Sequence, residues 1–334
     1  MKEKIKILIL KISMPLGGAE TLILQHLQNL NRETFQIHLG TLRSDGLLLS
    51  EAMNYADKYT CLDKKMSIDP FSLYKLRRYI VSNNIDIVHC HDYISAIYVY
   101  LSTKGVKIKK VVTIHSQEKS WRNNISLFII KRFDKIVTVS RNQKLNFFEN
   151  EIPWNNMKVI YNCYDTTKFG PLDNKKHIKH DDVFRMVMVG NFYWQKDHKT
   201  LIEAVNIVRN QGFKIELHLV GGRNKVIFEQ NQKLIQKLNL LSIVCFHTDK
   251  RVDSSFLSKF DLFVFSTKSE RLPIAPLEAM ACSLPVLVSD IAPNMELIRY
   301  GHDGFYFETA NIIDCADKIM TIIKNPQNLQ QKKE

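Results

Sequence analysis

Short apolar runs recur along the chain, separated by segments whose apolar residues are spaced as on a helix. In the first half the runs fall at 5–10, 35–39, 85–91, 110–115, 135–140 and 158–162. In the second half they fall at 185–190, 214–221, 243–247, 262–266, 285–289 and 305–307. Near-continuous Val, Ile, Leu and Phe without strict alternation predicts strands buried on both faces. The intervening segments read differently. Over 19–30, Leu22, Ile23, Leu27 and Leu30 share one helical face, and 199–209, 226–238 and 310–323 repeat that spacing. Strand–helix alternation of this kind predicts an α/β fold with parallel sheets covered by helices. The pattern restarts after a polar stretch, so we expect two Rossmann-like, doubly wound domains over 1–170 and 183–334, with a linker at 171–182. Two such domains are expected to face a cleft at the carboxyl ends of their strands, where ligands bind in open α/β sheets.

Composition narrows the class. With 45% hydrophobic and 24% charged residues in 334, the chain is globular rather than disordered. No apolar run reaches the roughly 18 residues of a membrane span, and the amino terminus lacks the pattern of a signal peptide. Six scattered cysteines without a Cys-x-x-Cys pair argue against a disulfide framework or a zinc module, and for reduced, mostly buried thiols in the cytoplasm. The net charge of +13 is unevenly placed. Residues 1–180 carry 28 Lys and Arg against 16 Asp and Glu, whereas 181–334 carry 19 against 18. A basic first half suits a polyanion, a phosphate-bearing substrate or an anionic membrane. No nucleic-acid recognition motif accompanies the charge. A Walker loop and a Gly-x-Gly-x-x-Gly are also absent, which removes kinase and dehydrogenase readings.

The richest candidate chemistry follows the run at 262–266. A loop carries Glu270, and a predicted helix carries Glu278 eight positions later. Both carboxylates are expected beside the carboxyl end of the sheet. Each can accept two hydroxyl hydrogen bonds, and the helix start suits a phosphate. Gly17-Gly18 opens the first predicted helix, another turn where backbone could approach an anion. His89 and His91 alternate on one strand with Asp92 next to them, but no third and fourth ligand is evident, so no metal is expected. No Asp-x-Asp occurs either.

The segment Glu270-Arg271-Leu272-Pro273-Ile274-Ala275-Pro276-Leu277-Glu278-Ala279-Met280-Ala281, followed by Pro285-Val286, resembles the signature of the family 4 glycosyltransferases. These are retaining enzymes of the GT-B fold. The likeness runs from about residue 5 to about residue 325 and includes Gly17-Gly18-Ala19-Glu20, Asp86-Ile87-Val88-His89-Cys90-His91, Thr113-Ile114-His115 and Val159-Ile160-Tyr161-Asn162. By that resemblance Glu270 contacts the donor sugar and Glu278 the ribose, while His115 faces the reaction centre. Lys196 binds the donor diphosphate. The family's companion Arg is replaced by Asn191, and its glycines by Arg271, Ser283 and Cys163. Arg271 could supply charge in compensation.

The resemblance implies a metal-independent, hexosyltransferase-like enzyme in cell-surface polysaccharide synthesis. It would use a UDP- or GDP-sugar as substrate, with no cofactor, and a glycan or lipid-linked acceptor. With the charge split, it suggests a cytoplasmic protein held peripherally on an anionic membrane. The stretch 121–133 and the basic clusters at Lys75, Arg77, Arg78 and at Lys104, Lys107, Lys109, Lys110 are candidate docking elements. Alternatives are a GT-B sugar-nucleotide epimerase and a catalytically weakened paralogue that binds a partner. The family usually ends in a helix that crosses back onto the first domain, and a chain ending soon after 310–323 is expected to lack it.

Overall fold

A computed structural model describes residues 3–115, 122–172, 182–222, 224–248 and 250–325. The chain divides into two compact units, Met1–Asn162 and Cys163–Glu334. The first contains strands β1 (Ile5–Lys11), β2 (Phe35–Thr41), β3 (Lys58–Cys61), β4 (Ile87–Cys90), β5 (Lys109–Thr113), β6 (Lys135–Thr138) and β7 (Met157–Val159). Its helices are α1 (Gly18–Asn29), α2 (Leu49–Met53), α3 (Pro70–Ser82), α4 (Tyr93–Ser102), α5 (Arg122–Ile130) and α6 (Arg141–Glu149). The strands pair in parallel in the order β3-β2-β1-β4-β5-β6-β7.

The second unit continues with β8 (Phe184–Val189), α7 (His198–Asn210), β9 (Ile215–Val220), α8 (Lys225–Lys237), β10 (Val244–His247) and α9 (Ser254–Leu257). It ends with β11 (Leu262–Phe265), α10 (Ile274–Ala281), β12 (Val286–Ser289), α11 (Ala292–Leu297), β13 (Phe305–Phe307) and α12 (Ile312–Lys324). Its six parallel strands run β10-β9-β8-β11-β12-β13. In each sheet the winding direction reverses once, between β1 and β4 and between β8 and β11. These switch points fix where ligands meet the carboxyl ends of the strands.

Local sequence explains the helix starts. Asp69, Asp92, Ser140, Asn224, Asp253 and Asn311 each accept a backbone N–H at the first turn of a helix, each cap being worth about 1 kcal/mol. In α12 the buried set Cys315, Ala316, Ile319 and Ile322 forms the expected stripe. The first sheet carries a core on both faces, one around Leu8, Val88 and Val112 and the other around Ile9, Ile23 and Leu39.

Three expectations change. The first unit ends at Asn162 rather than at 170, because Phe169 is buried in the second unit's core. The expected linker lies mostly in 173–181, outside the described residues, as does the tail beyond 325. β3 was not anticipated. It is a four-residue edge strand that begins with an exposed Lys and has no fully buried residue, so it lacks an apolar signal. All six cysteines are free, but only Cys90, Cys282 and Cys315 are buried.

Candidate active site

At the switch point of the second unit, the loop after β8 meets the loop after β11. Gly190 N–H bonds back to Val220, and Phe192 N–H to Gly222. A Cβ on Gly221 would lie 2.3 Å from the Gly190 carbonyl, so this close approach requires glycine. Asp197 then takes a left-handed φ of 46° and starts α7. Ser266 Oγ donates to the Asp197 carbonyl at 2.9 Å, and Lys268 N–H to the Gln195 carbonyl at 2.7 Å. Lys268 also pairs with Asp197 at 3.1 Å.

These ties bring Lys196 and Glu270 together. Lys196 Nζ pairs with Glu270 Oε1, both side chains being largely shielded from water. The ammonium also sits 4.8 Å from the centre of the Phe265 ring. The Thr267 hydroxyl lies 3.0 Å from the Glu270 carboxylate and 3.0 Å from the Gln195 carbonyl. A cation and a carboxylate are thus held side by side above the sheet. Arg271 follows, half-buried on the same loop.

Asn191 is not a spare position awaiting an Arg. Its Oδ1 accepts the Gly222 N–H at 2.7 Å and clamps the loop after β9. Ser283 takes the backbone conformation that a family glycine would favour. Its φ is 55°, and the N–H groups of Ser283 and Leu284 bond the carbonyls of Met280 and Ala279 at 2.9 and 3.0 Å. This is the reversal that ends α10, where glycine is preferred. Cys163, in contrast, is not among the residues with positive φ.

No side chain caps the start of α10 at Pro273. Glu278 lies in that helix, half-buried. Burial pushes its carboxyl up to about 7, and the positive charge of Lys168 counters only part of the rise. Lys168, which itself pairs with Asp165 at 3.2 Å, was not singled out in the sequence. Nothing in its spacing marks it.

In the first unit Gly17 caps α1 with extended backbone, φ −165°, so left-handed geometry is not its reason. A Cβ there would lie 2.6 Å from Glu20 Oε2, since the Glu20 side chain folds back over the turn. The expected anion site at Gly17-Gly18 therefore already has a carboxylate against it. Glu20 reaches Lys11 at 3.3 Å, and Asp92 reaches the same ammonium at 3.7 Å. Burial works against the Lys11 charge, but Asp92 and Glu20 override it and raise its pKa. Asp92 also caps α4 through the Ser95 N–H at 2.7 Å.

His115 stands just after β5 and stacks on His91, ring centres 5.5 Å apart, with His91 Nδ1 and His115 Nε2 separated by 3.2 Å. Burial lowers the pKa of His115 to about 3, helped by Lys11 and His26. His89 is likewise lowered to about 3 by burial and its histidine neighbours. All these rings are neutral at pH 7, so His115 offers hydrogen bonds rather than charge. His26, on α1, joins this group. Helical spacing alone could not reveal it, because the join depends on how α1 packs across the sheet.

Against this geometry, the Glycosyltransferase Family 4 model matches residues 16–168 and the Glycosyl transferases group 1 model matches 171–334. The chain belongs to the family 4 glycosyltransferases. This glycosyltransferase is 26% identical over 341 residues to the Escherichia coli UDP-Gal:alpha-D-GlcNAc-diphosphoundecaprenol alpha-1,3-galactosyltransferase, covering 96% of this chain and 88% of that one. It is 25% identical over 321 residues to the Staphylococcus aureus capsular polysaccharide biosynthesis glycosyltransferase CapH, covering 90% and 86%. Its fold matches that of Anabaena Alr3699/HepE, solved in complex with UDP and glucose, with a TM-score of 0.85 at 19% identity, covering 98% and 93%. The glycosyltransferase is thus a GT-B protein with a parallel sheet in each unit.

Proposed function

We propose that this glycosyltransferase moves a sugar from a UDP- or GDP-sugar to a hydroxyl of a lipid-linked glycan during cell-surface polysaccharide synthesis, with retention and without a metal at the leaving group. The observation that carries the reading is the Lys196–Glu270 pair at the switch point of the second unit. Lys196, with Arg271 and the uncapped start of α10, stabilises the departing diphosphate. Glu270 holds a sugar hydroxyl, and ionised Glu278 accepts the ribose hydroxyls. From the first unit the reading draws on His115 for the sugar. The Gly17-Gly18 turn is left out of the reading, because the Glu20 carboxylate already lies against it. The departing phosphate takes the acceptor's proton, so no strong general base is needed. The Escherichia coli relative, whose name specifies UDP-Gal, a diphosphoundecaprenol-linked sugar and an alpha-1,3 linkage, supports the choice of donor class and acceptor. Thermal melts with a panel of UDP- and GDP-sugars test the donor, since a ligand of the folded state raises the melting temperature. Transfer to a polyprenyl-diphosphate sugar then tests the acceptor. No stabilisation by any nucleotide sugar overturns the reading.

A lipid-linked acceptor calls for a membrane face, and the first unit offers one on α3. Phe71, Tyr74 and Arg78 are exposed along one side of that helix, next to exposed Met66 and Ile68. Arg77 ties α3 to the loop after α4 through the carbonyls of Ser102 and Lys104 at 3.0 and 2.7 Å, and that loop carries exposed Lys104 and Lys107. Aromatic side chains beside cations suit the interface of an anionic leaflet, each cation adding about 1 kcal/mol. The stretch 121–133 serves less well. Ile129, Ile130 and Phe133 are buried in the core, Phe128 is exposed, and Trp121 lies outside the described residues. Among the described residues no helix is long and apolar enough to cross a membrane. Cosedimentation with vesicles tests the docking face. Binding should require anionic lipid, weaken with salt and drop in Phe71→Ser/Tyr74→Ser, and equal binding to neutral vesicles would sink it.

A further inference from the structure

Four histidines gather at the carboxyl ends of β4 and β5 under α1, and among the described residues no carboxylate bonds to any of their ring nitrogens. Three of them converge. The rings of His89 and His91 are 4.2 Å apart, and His26 approaches them edge-on at 5.6 and 6.0 Å. One nitrogen from each of the three lies within 4.8 Å of the others.

The remaining nitrogens are occupied in a way that selects which atoms face the centre. His89 uses Nε2 toward the Thr113 hydroxyl at 2.8 Å. His91 uses Nδ1 toward His115 Nε2 at 3.2 Å. That leaves His91 Nε2 buried without a hydrogen-bond partner on a residue only 3% exposed. An orphaned buried ring nitrogen is costly unless something else fills its lone pair or takes its proton. The outer partners resemble the support that metal-bound imidazoles receive through their second nitrogen, which fixes tautomer and ring orientation.

We propose that His26, His89 and His91 bind one late first-row divalent ion of the zinc class, leaving a fourth position open. Three imidazoles with an open position is an arrangement that Zn2+ accepts, whereas hard ions such as Mg2+ prefer oxygen. Nitrogens bound to zinc at about 2.0–2.1 Å stand roughly 3.3 Å apart, so the group must close by about 1–1.5 Å. His26 can supply most of that movement, because it is the exposed member, on the last turn of α1. The nearby Lys11 charge, which would oppose a cation, is already offset by Glu20 and Asp92. The site lies wholly in the first unit and does not depend on the proposed donor chemistry.

The alternative occupant of the orphaned nitrogen is a sugar hydroxyl, which would make no use of His26. The test separates the two. The full chain, stripped with a chelator, is titrated with Co2+ while the visible ligand-field bands are followed, and Zn2+ is then added in competition. We expect one Co2+ per chain with the intense bands of four-coordinate geometry, displaced by Zn2+. His26→Gln, at an exposed position that the fold tolerates, should abolish those bands and weaken binding at least 100-fold. His115→Gln should weaken it about 10- to 100-fold through the outer partner. His218→Gln, in the second unit, should leave it unchanged. No stoichiometric ion in the wild type, or binding that survives His26→Gln, overturns the proposal. Nucleotide-sugar stabilisation is read separately in either case.

Discussion

Replacing Glu278 with Gln separates the proposed contact of this carboxyl with the donor ribose from what the carboxyl does to the fold. Burial raises its pKa from 4.5 to about 7. Ribose hydroxyls donate to a carboxylate, so the donor selects the ionised form. A group with that pKa is ionised in about one molecule in ten at pH 6 and about nine in ten at pH 8. The apparent affinity scales with this competent fraction, so it should rise about tenfold across that range, or about 1.3 kcal/mol. A UDP-sugar is the right ligand because its phosphates do not titrate between those values. Calorimetry on Glu278→Gln should show weaker binding at both pH values and a flat profile.

Stability runs the other way. The unfolded carboxyl titrates near 4.5 and the folded one at about 7. The advantage of the neutral form is therefore complete below 4.5 and is lost as the pH rises through about 7. Above that, the half-buried charge destabilises the fold by about 1–3 kcal/mol, once solvent screening is discounted. Gln removes this term, so at pH 8 the variant should melt a few degrees above the wild type. A wild type with no pH dependence of binding, or a variant that melts lower at pH 8, would refute the reasoning.

Three further outcomes follow from the same unit. Lys196→Ala should lower donor affinity at least tenfold in calorimetry and also lower the melting temperature, because it strands the Glu270 carboxylate in a half-buried position. Ser283→Gly should raise stability by about 1 kcal/mol in chemical denaturation without altering donor affinity, since it relieves a left-handed φ on a residue with a Cβ. Asn191→Arg should lower stability by about 1–2 kcal/mol by removing the acceptor of the Gly222 N–H, whereas Asn191→Asp, which keeps an acceptor there, should melt near the wild type.

The sequence by itself determined the two-unit α/β plan, because buried parallel strands show as short, near-continuous apolar runs and their helices as a 3.6-residue stripe. Every predicted strand appears within a few residues of its expected place. Only β3, half-exposed at a sheet edge, lacked the apolar signal. The sequence also marked Glu270, Glu278 and Lys196, because their spacing within one loop–helix segment and one strand–turn segment is itself the motif.

Tertiary structure decided the rest, because it alone sets which distant loops share a switch point. It paired Lys196 with Glu270 across 74 positions and turned Asn191 into a backbone clamp for Gly222. It also brought Lys168 toward Glu278 and folded Glu20 over Gly17. His26 shows the limit most plainly. It lies 63 positions before His89 on a different element, and only the packing of α1 across the sheet places its ring beside the pair on β4. Spacing along a chain encodes neighbours on one helix or strand, whereas the faces on which separate elements meet are fixed by how their apolar sides pack.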